Sequence, residues 1–192
     1  MIAAVILAAG ESARLGRPKQ LLPYRGRTLL RHVVECAAAG GCDPVLVVLG
    51  ARADELLGEL EGTAAHHVPN DAWRQGIGSS VRAGVAAVRR QWPDASAVLL
   101  LTCDQPRITA DLVRRIGERF DRSDARIIAC EYAGTVGVPA LFDRSLFPEL
   151  LALSGSTGAK PVLEVHANDV VGLPWPDGAI DIDRPEDLRL LS

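Results

Sequence analysis

The sequence predicts an α/β fold, a three-layer, doubly wound and mostly parallel sheet with helices on both faces. Three observations predict it: short, continuously apolar runs recur along the 192 residues, they alternate with segments of helical periodicity, and the connections are short. Crossovers between parallel strands are right-handed, which winds helices onto both faces of one sheet. With 48% hydrophobic residues the chain can bury a sizeable core, and one domain over residues 1–192 is expected.

The run Ile2-Ala3-Ala4-Val5-Ile6-Leu7-Ala8 reads as a first strand covered on both faces. Thr28 caps a helix over residues 29–39, Leu30, Val33, Val34 and Ala37 form its apolar stripe, and Gly40-Gly41 stops it. Residues 45–49 form a second buried strand, 53–60 a short helix and 64–68 a weaker strand. Ser79-Ser80 caps a helix to about Gln91, and 97–102 is a strongly apolar strand. Thr109 begins a helix to about Phe120, 126–130 is a strand, and 145–153 and 159–167 are helices. Residues 170–173 and 180–182 are strand-like, Pro176-Asp177-Gly178 is a turn, and a short helix follows Pro185.

Composition narrows the function. With 21 basic and 24 acidic residues the formal charge is −3, so no global field draws the chain to nucleic acid or membrane, and a phosphate site must be local. The apolar run at residues 2–9 is too short to span a bilayer and lacks a basic leader, so the protein is expected in the cytoplasm. Cys36, Cys42, Cys103 and Cys130 lack C-x-x-C spacing and read as structural thiols. His32, His66, His67 and His166 have no ligand spacing and read as surface or packing residues.

Ligands of open α/β sheets bind beyond the carboxyl ends of the strands, which points to residues 9–19 and 103–107 as walls of one site. Gly10-Glu11-Ser12-Ala13-Arg14-Leu15-Gly16-Arg17-Pro18-Lys19 joins backbone donors, a hydroxyl, two guanidiniums and an ammonium, a set suited to polyphosphate. It is not a Walker loop, because Arg17-Pro18-Lys19 follows Gly16. It is not a dinucleotide fingerprint either, because Ser12 stands where the second glycine belongs. Taken alone, the loop also fits a solvated surface turn. Asp104 leaves the strand at 97–102 where magnesium needs an oxygen ligand, although a turn or capping aspartate has the same sequence context. Asn70, Gly76, Ser79 and Ser80 suit recognition of a sugar or base, or an ordinary turn with an N-cap, and Trp73 reads as a packing residue.

Together, residues 7–22 resemble the signature L-A-A-G-x-S-x-R-M-G-x-x-K of MobA-like nucleotidyltransferases. The chain is similar to the molybdenum cofactor cytidylyltransferase branch (MocA-like), whose Asn-x-x-Trp-x-x-Gly-x-x-Ser-Ser stretch is matched by Asn70, Trp73, Gly76, Ser79 and Ser80. Similarity continues through Asp104-Gln105-Pro106, Gly137-Val138-Pro139, Gly155-Ser156-Thr157-Gly158-Ala159-Lys160 and Asp181-Ile182-Asp183-Arg184-Pro185. The resemblance implies a Rossmann-like nucleotidyltransferase fold, a nucleoside triphosphate with Mg²⁺, and a molybdopterin-type acceptor, with a molybdenum-dependent dehydrogenase as receiving partner. It implies Asp104 as metal ligand, Arg14 and Lys19 against the triphosphate, and Leu7, Ala8, Ala9, Gly10, Glu11 and Ser12 around the nucleotide together with the matched residues of 70–80. It implies Gln105, Pro106, Gly137, Pro139, Ser156 and Lys160 on the acceptor side. Leu-Ala-Ala-Gly accompanies cytidine nucleotides in related enzymes, so Ala9 implies CTP.

The chain departs from the family in two places. Ser156 and Lys160 replace the aspartate and arginine of Gly-Asp-x-Gly-Ala-Arg, which removes a carboxylate and a bidentate contact, and Leu15 stands where methionine is common. The resemblance extends to a pyridine-dye reductase of nicotine catabolism that uses reduced nicotinamide nucleotides, so NAD(P)H-dependent reduction is the alternative activity. A non-catalytic molybdenum-cofactor-binding accessory protein is the third reading.

Overall fold

Alternate residues of β1 (Ile2–Leu7) enter two separate cores, and its sequence is therefore apolar throughout. The computed structural model describes residues 1–191. Ala3, Val5 and Leu7 join the core under α3 (Ile77–Gln91), α5 (Phe147–Ala152) and α6 (Lys160–Val165). Ala4 and Ile6 join the core under α1 (Leu29–Ala39), α2 (Ala53–Leu57) and α4 (Ala110–Asp121). The three-layer architecture expected from the sequence is present.

A short hairpin of β2 (Pro23–Tyr24) and β3 (Arg27–Thr28) follows the first loop and stands apart from the main sheet. The other strands are β4 (Val45–Leu49), β5 (His66–Pro69), β6 (Ala97–Thr102), β7 (Ile127–Tyr132), β8 (Thr135–Asp143) and β9 (Val170–Pro174). With β1 they form one sheet in the order β5-β4-β1-β6-β8-β7-β9. Strand β1 pairs in parallel with β4 on one side and β6 on the other, with Leu7 opposite both Val48 and Thr102. The chain winds first toward one edge and then crosses to the other, so the loops after β1 and β6 diverge from adjacent strand ends. That crevice is where α/β sheets bind ligands.

Local chemistry accounts for the helix boundaries. The Thr28 hydroxyl accepts from the Arg31 N–H at 3.3 Å, and Thr109 caps α4 by accepting from Leu112 at 3.1 Å. Helix α3 lies close to the sheet because Gly84 faces Val5, where a Cβ would collide with the valine side chain. His32 is a packing residue, buried edge-on against Tyr24 with its Nε2 2.9 Å from the Ile108 carbonyl. None of the described helices is long and apolar enough to cross a membrane.

The structure corrects several sequence expectations. Ser79 and Ser80 do not cap α3; the helix begins at Ile77 with Gly76 as N-cap, and both serines are buried in its first turn. Gly76 permits the earlier start because its φ is +104° and a Cβ there would meet the Gly155 carbonyl oxygen at 2.5 Å. The expected helix at 53–60 ends at Leu57 and tightens into a 3₁₀ turn, Gly58–Leu60. The helix expected at 145–153 likewise opens with a 3₁₀ turn, Arg144–Leu146, before α5. Residues 180–182 pair with no strand; the Ile182 N–H instead donates to the Asp104 carbonyl at 2.9 Å. The segment after Pro185 is a 3₁₀ helix, Pro185–Leu191.

The largest omission is β8, nine residues running antiparallel between β6 and β7. Gly137 and Pro139 disguise it, since proline cannot donate to a ladder and is confined to sheet edges and bulges. The pairing with β7 steps from Ala129 opposite Ala140 to Cys130 opposite Gly137, and the irregularity accommodates Val138 and Pro139.

Gly84→Ala is expected to destabilise the fold by about 1–3 kcal/mol, because overpacking against Val5 outweighs the gain in helix propensity. Thermal denaturation checks this, and an unchanged or higher Tm would contradict it. Burial pushes the thiols of Cys42, Cys103 and Cys130 up to about 12. Their folded values lie above the unfolded value of about 8.5, so their contribution to stability is complete below that pH and is lost as pH rises toward 12. Folded protein at pH 8 is expected to offer a thiol reagent at most the half-buried Cys36, as counting modified thiols before and after denaturation would reveal.

Candidate active site

The first loop is held by its own side chains. Gln20 is buried, and its amide donates to the carbonyls of Ala8 at 2.9 Å and Gly10 at 2.8 Å. Ser12 adopts a φ of +58°, donates its hydroxyl to Gln20 Oε1 at 3.3 Å and accepts the Lys19 N–H at 3.1 Å. These bonds close residues 8–20 on themselves and fix the point from which Lys19 projects. Gln20 is a site residue that sequence reasoning passed over, although it adjoins Lys19 in the matched signature.

Lys19 reaches the loop after β6. Its Nζ donates to Asp104 Oδ2 at 2.7 Å and to Asp183 Oδ1 at 2.8 Å, and Arg14 lies 3.8 Å from the other Asp183 oxygen. Burial opposes the charge of Lys19, but the Asp104 carboxylate overcomes it, Asp183 adds a hydrogen bond, and the pKa is raised. Arg14 is 76% exposed and stands at the rim, whereas the Lys19 side chain is only 16% exposed. Asp181 is pushed above the usual carboxylate range by partial desolvation and by the Asp104 and Asp183 charges. Asp183 and Asp181 were missed as site residues; the motif Asp181-Ile182-Asp183-Arg184-Pro185 was the available signal.

Two cavities open beside this cluster. The first, of about 330 Å³, is lined by Leu7, Ala8, Ala9, Gly10, Glu11 and Lys19 from the first loop and by Cys103 and Asp104 beyond β6. Trp73, Arg74, Gly76, Ile77 and Ser80 close its other side, with the Arg74 guanidinium 4.3 Å from the Trp73 ring centroid. Trp73, expected only as packing, is also a cavity wall. The second cavity, of about 310 Å³, shares Leu7, Ile77 and Thr102 with the first. Apolar side chains including Val81, Leu100, Val136 and Leu163 form its body, and Tyr132, Ser156, Thr157 and Lys160 supply polar groups. Among its lining residues Lys160 alone is charged, and it lies 3.8 Å from Glu164.

Most sequence-predicted residues converge on these cavities, but seven do not line them: Ser12 and Arg14 in the first loop, Asn70, Ser79, Gln105, Pro106 and Pro139. Asn70 is buried behind the wall, its amide donating to Ser79 Oγ at 2.9 Å and Ser80 Oγ at 3.0 Å while its Oδ1 accepts from Ala72. It holds the turn before α3 in place of a ligand. Gln105 is also buried, donating to the Val138 and Gly178 carbonyls, each at 3.2 Å. The Tyr132 hydroxyl donates to the same Val138 carbonyl at 2.9 Å, so the β8 irregularity is anchored from two sides. Pro106 and Pro139 are buried and line neither cavity.

The donor set fits a divalent cation. Two carboxylates already turn their oxygens onto one positive charge, the Lys19 ammonium. Among the described residues no group of three or more acidic, histidine or cysteine side chains gathers in one place, so a cation here would have these two carboxylates as its protein ligands.

The family described as the MobA-like NTP transferase domain matches residues 4–170. The chain is 35% identical over 171 residues to nicotine blue oxidoreductase of Paenarthrobacter nicotinovorans, covering 84% of this chain and 81% of that protein. It is 28% identical to the molybdenum cofactor cytidylyltransferase of Escherichia coli K12, covering 95% and 91%. Among solved structures, Rv0371c of Mycobacterium tuberculosis H37Rv superposes with a TM-score of 0.81 at 34% identity, covering 99% of this chain and 96% of that one. A second structure of that protein is a complex with manganese, with a TM-score of 0.77.

Gln20→Ala leaves two loop carbonyls without their partner, and unsatisfied buried groups cost about 1–3 kcal/mol each. We expect a lower Tm and faster hydrogen exchange at residues 8–20, with the amides of α4 unchanged. Uniformly accelerated exchange would contradict the local role.

Proposed function

The chain belongs to the MobA-like NTP transferase family, and from that premise we propose that it transfers CMP from CTP to the terminal phosphate of a molybdopterin-type cofactor in the cytoplasm, releasing pyrophosphate. The observation that carries this reading is the pair of cavities sharing Leu7, Ile77 and Thr102, with the Lys19–Asp104–Asp183 cluster at the edge of one and an uncharged body in the other. The first suits a triphosphate and the second a flat heteroaromatic acceptor. Ala9, in the Leu-Ala-Ala-Gly run that accompanies cytidine nucleotides, supports CTP. The Escherichia coli relative supports the acceptor class.

Acceptor phosphate needs no general base, because the second pKa of a phosphate monoester is about 6 and the nucleophile is anionic at pH 7. No histidine lines either cavity, which agrees with this economy. Asp104 and Asp183 would hold Mg²⁺, which when bound supplies charge neutralisation and orientation of phosphate oxygens. Lys19 donates to the phosphates from a site where burial strengthens the contact, and Arg14 offsets charge from the rim. The loop tied by Gln20 and Ser12 keeps these groups in place before substrate arrives, so little reorganisation accompanies reaction. The product would pass to a molybdenum-dependent dehydrogenase.

Similarity to nicotine blue oxidoreductase favours a second reading, NAD(P)H-dependent reduction. Incubation with labelled CTP, Mg²⁺ and molybdopterin separates the two. The proposal expects pyrophosphate release in step with a cytidine dinucleotide product, falling by about 10²–10³ in Asp104→Ala. NAD(P)H oxidation with a dye acceptor and no pyrophosphate would replace it with the reductase.

A further inference from the structure

From the position of Lys19 we infer that the chain carries a built-in competitor for its own metal site, which a triphosphate removes. The inference rests on the assignment of Asp104 and Asp183 as cation ligands. Both carboxylates are hydrogen-bonded to one Nζ, at 2.7 and 2.8 Å, in a setting where the lysine side chain is 16% exposed. Magnesium binds oxygen at about 2.0–2.1 Å. A cation touching both of these oxygens would stand where the ammonium now stands, so one must leave for the other to enter.

The ammonium does not leave unaided, because a mostly buried charge stripped of its partners is costly. It needs another anion, and the first cavity is where one arrives. Lys19 lines that cavity as well as facing the carboxylates, so rotation of its side chain carries Nζ from one to the other. Its backbone need not move: the Lys19 N–H is fixed by Ser12 Oγ, and Gln20 pins the loop carbonyls beside it. Arg14 touches Asp183 only from the exposed rim at 3.8 Å and does not fill the gap. Triphosphate therefore draws Lys19 away and opens both carboxylates to the cation. By linkage, the cation raises nucleotide affinity by the same factor that nucleotide raises cation affinity.

Binding of Mn²⁺ to the full chain without nucleotide, followed by electron paramagnetic resonance, tests this apart from turnover or acceptor identity. Wild-type protein is expected to bind Mn²⁺ weakly and Lys19→Gln at least about fivefold more tightly, within the usual range of coupling between sites. Arg14→Gln removes the same charge near Asp183 from outside the gap and is expected to stay close to wild type. Equal affinity in wild type and Lys19→Gln, or an equal gain in Arg14→Gln, overturns the inference. Absence of Mn²⁺ binding in all three overturns the metal assignment itself. A second measurement needs no variant: the ¹⁵N resonance of the Lys19 ammonium should shift little with Mg²⁺ alone and strongly with CTP and Mg²⁺ together. Saturation by Mg²⁺ with that resonance unmoved overturns displacement.

Discussion

The shared ammonium of Lys19 joins three parts of the chain that are remote in sequence. Asp104 lies 85 residues from it and Asp183 164 residues. Parallel pairing of β1 with β6 brings the first two together, since Leu7 lies opposite Thr102 and both loops leave the sheet side by side. The third arrives because the C-terminal segment is tied down: the Ile182 N–H bonds to the Asp104 carbonyl, and Ile182 is buried with Leu15, Leu22, Tyr24 and Leu29. The mostly buried Lys19 charge would be unfavourable alone, whereas the two carboxylates satisfy it. One ammonium thus satisfies two carboxylates from separate loops.

The second cavity depends on a different constraint. Strand β8 enters antiparallel between two strands and cannot stay regular through Val138 and Pro139. The irregularity frees the Val138 carbonyl, which Gln105 and Tyr132 both use. Gly137 is required beside it, since a Cβ there would collide with the Tyr132 hydroxyl. Residues 136–138 can thereby line a ligand-sized space against Ser156 and Lys160. Gln105 thus acts on the second cavity through the wall it supports.

Elements whose signals are local were legible in the sequence. Helix α1 starts after Thr28 and ends before Gly40 as read, and β1, β4 and β6 are apolar because both faces are covered. Signals that depend on tertiary context were not. Gly76 starts α3 three residues before Ser79 because the Gly155 loop lies against it, and no local pattern announces that loop. Gly137 and Pro139 read as breakers although they mark an irregularity in a central strand. The Gly10–Lys19 loop and Asp104 were visible as a pair of walls, while Asp183 was hidden between the strand-like stretch read at 180–182 and the helix read from Pro185. Asn70 and Gln105 matched a motif without revealing that their amides face inward.

Ligand-dependent thermal stability measures the nucleotide assignment most directly, because a ligand that binds only the folded state raises the apparent stability by about 2.7 kcal/mol at a hundredfold excess over its Kd. In a panel of CTP, GTP, UTP, ATP and NADPH, each with and without Mg²⁺, the largest shift is predicted for CTP, and only with the cation present. A shift with NADPH and none with CTP would contradict the nucleotidyl-transfer reading.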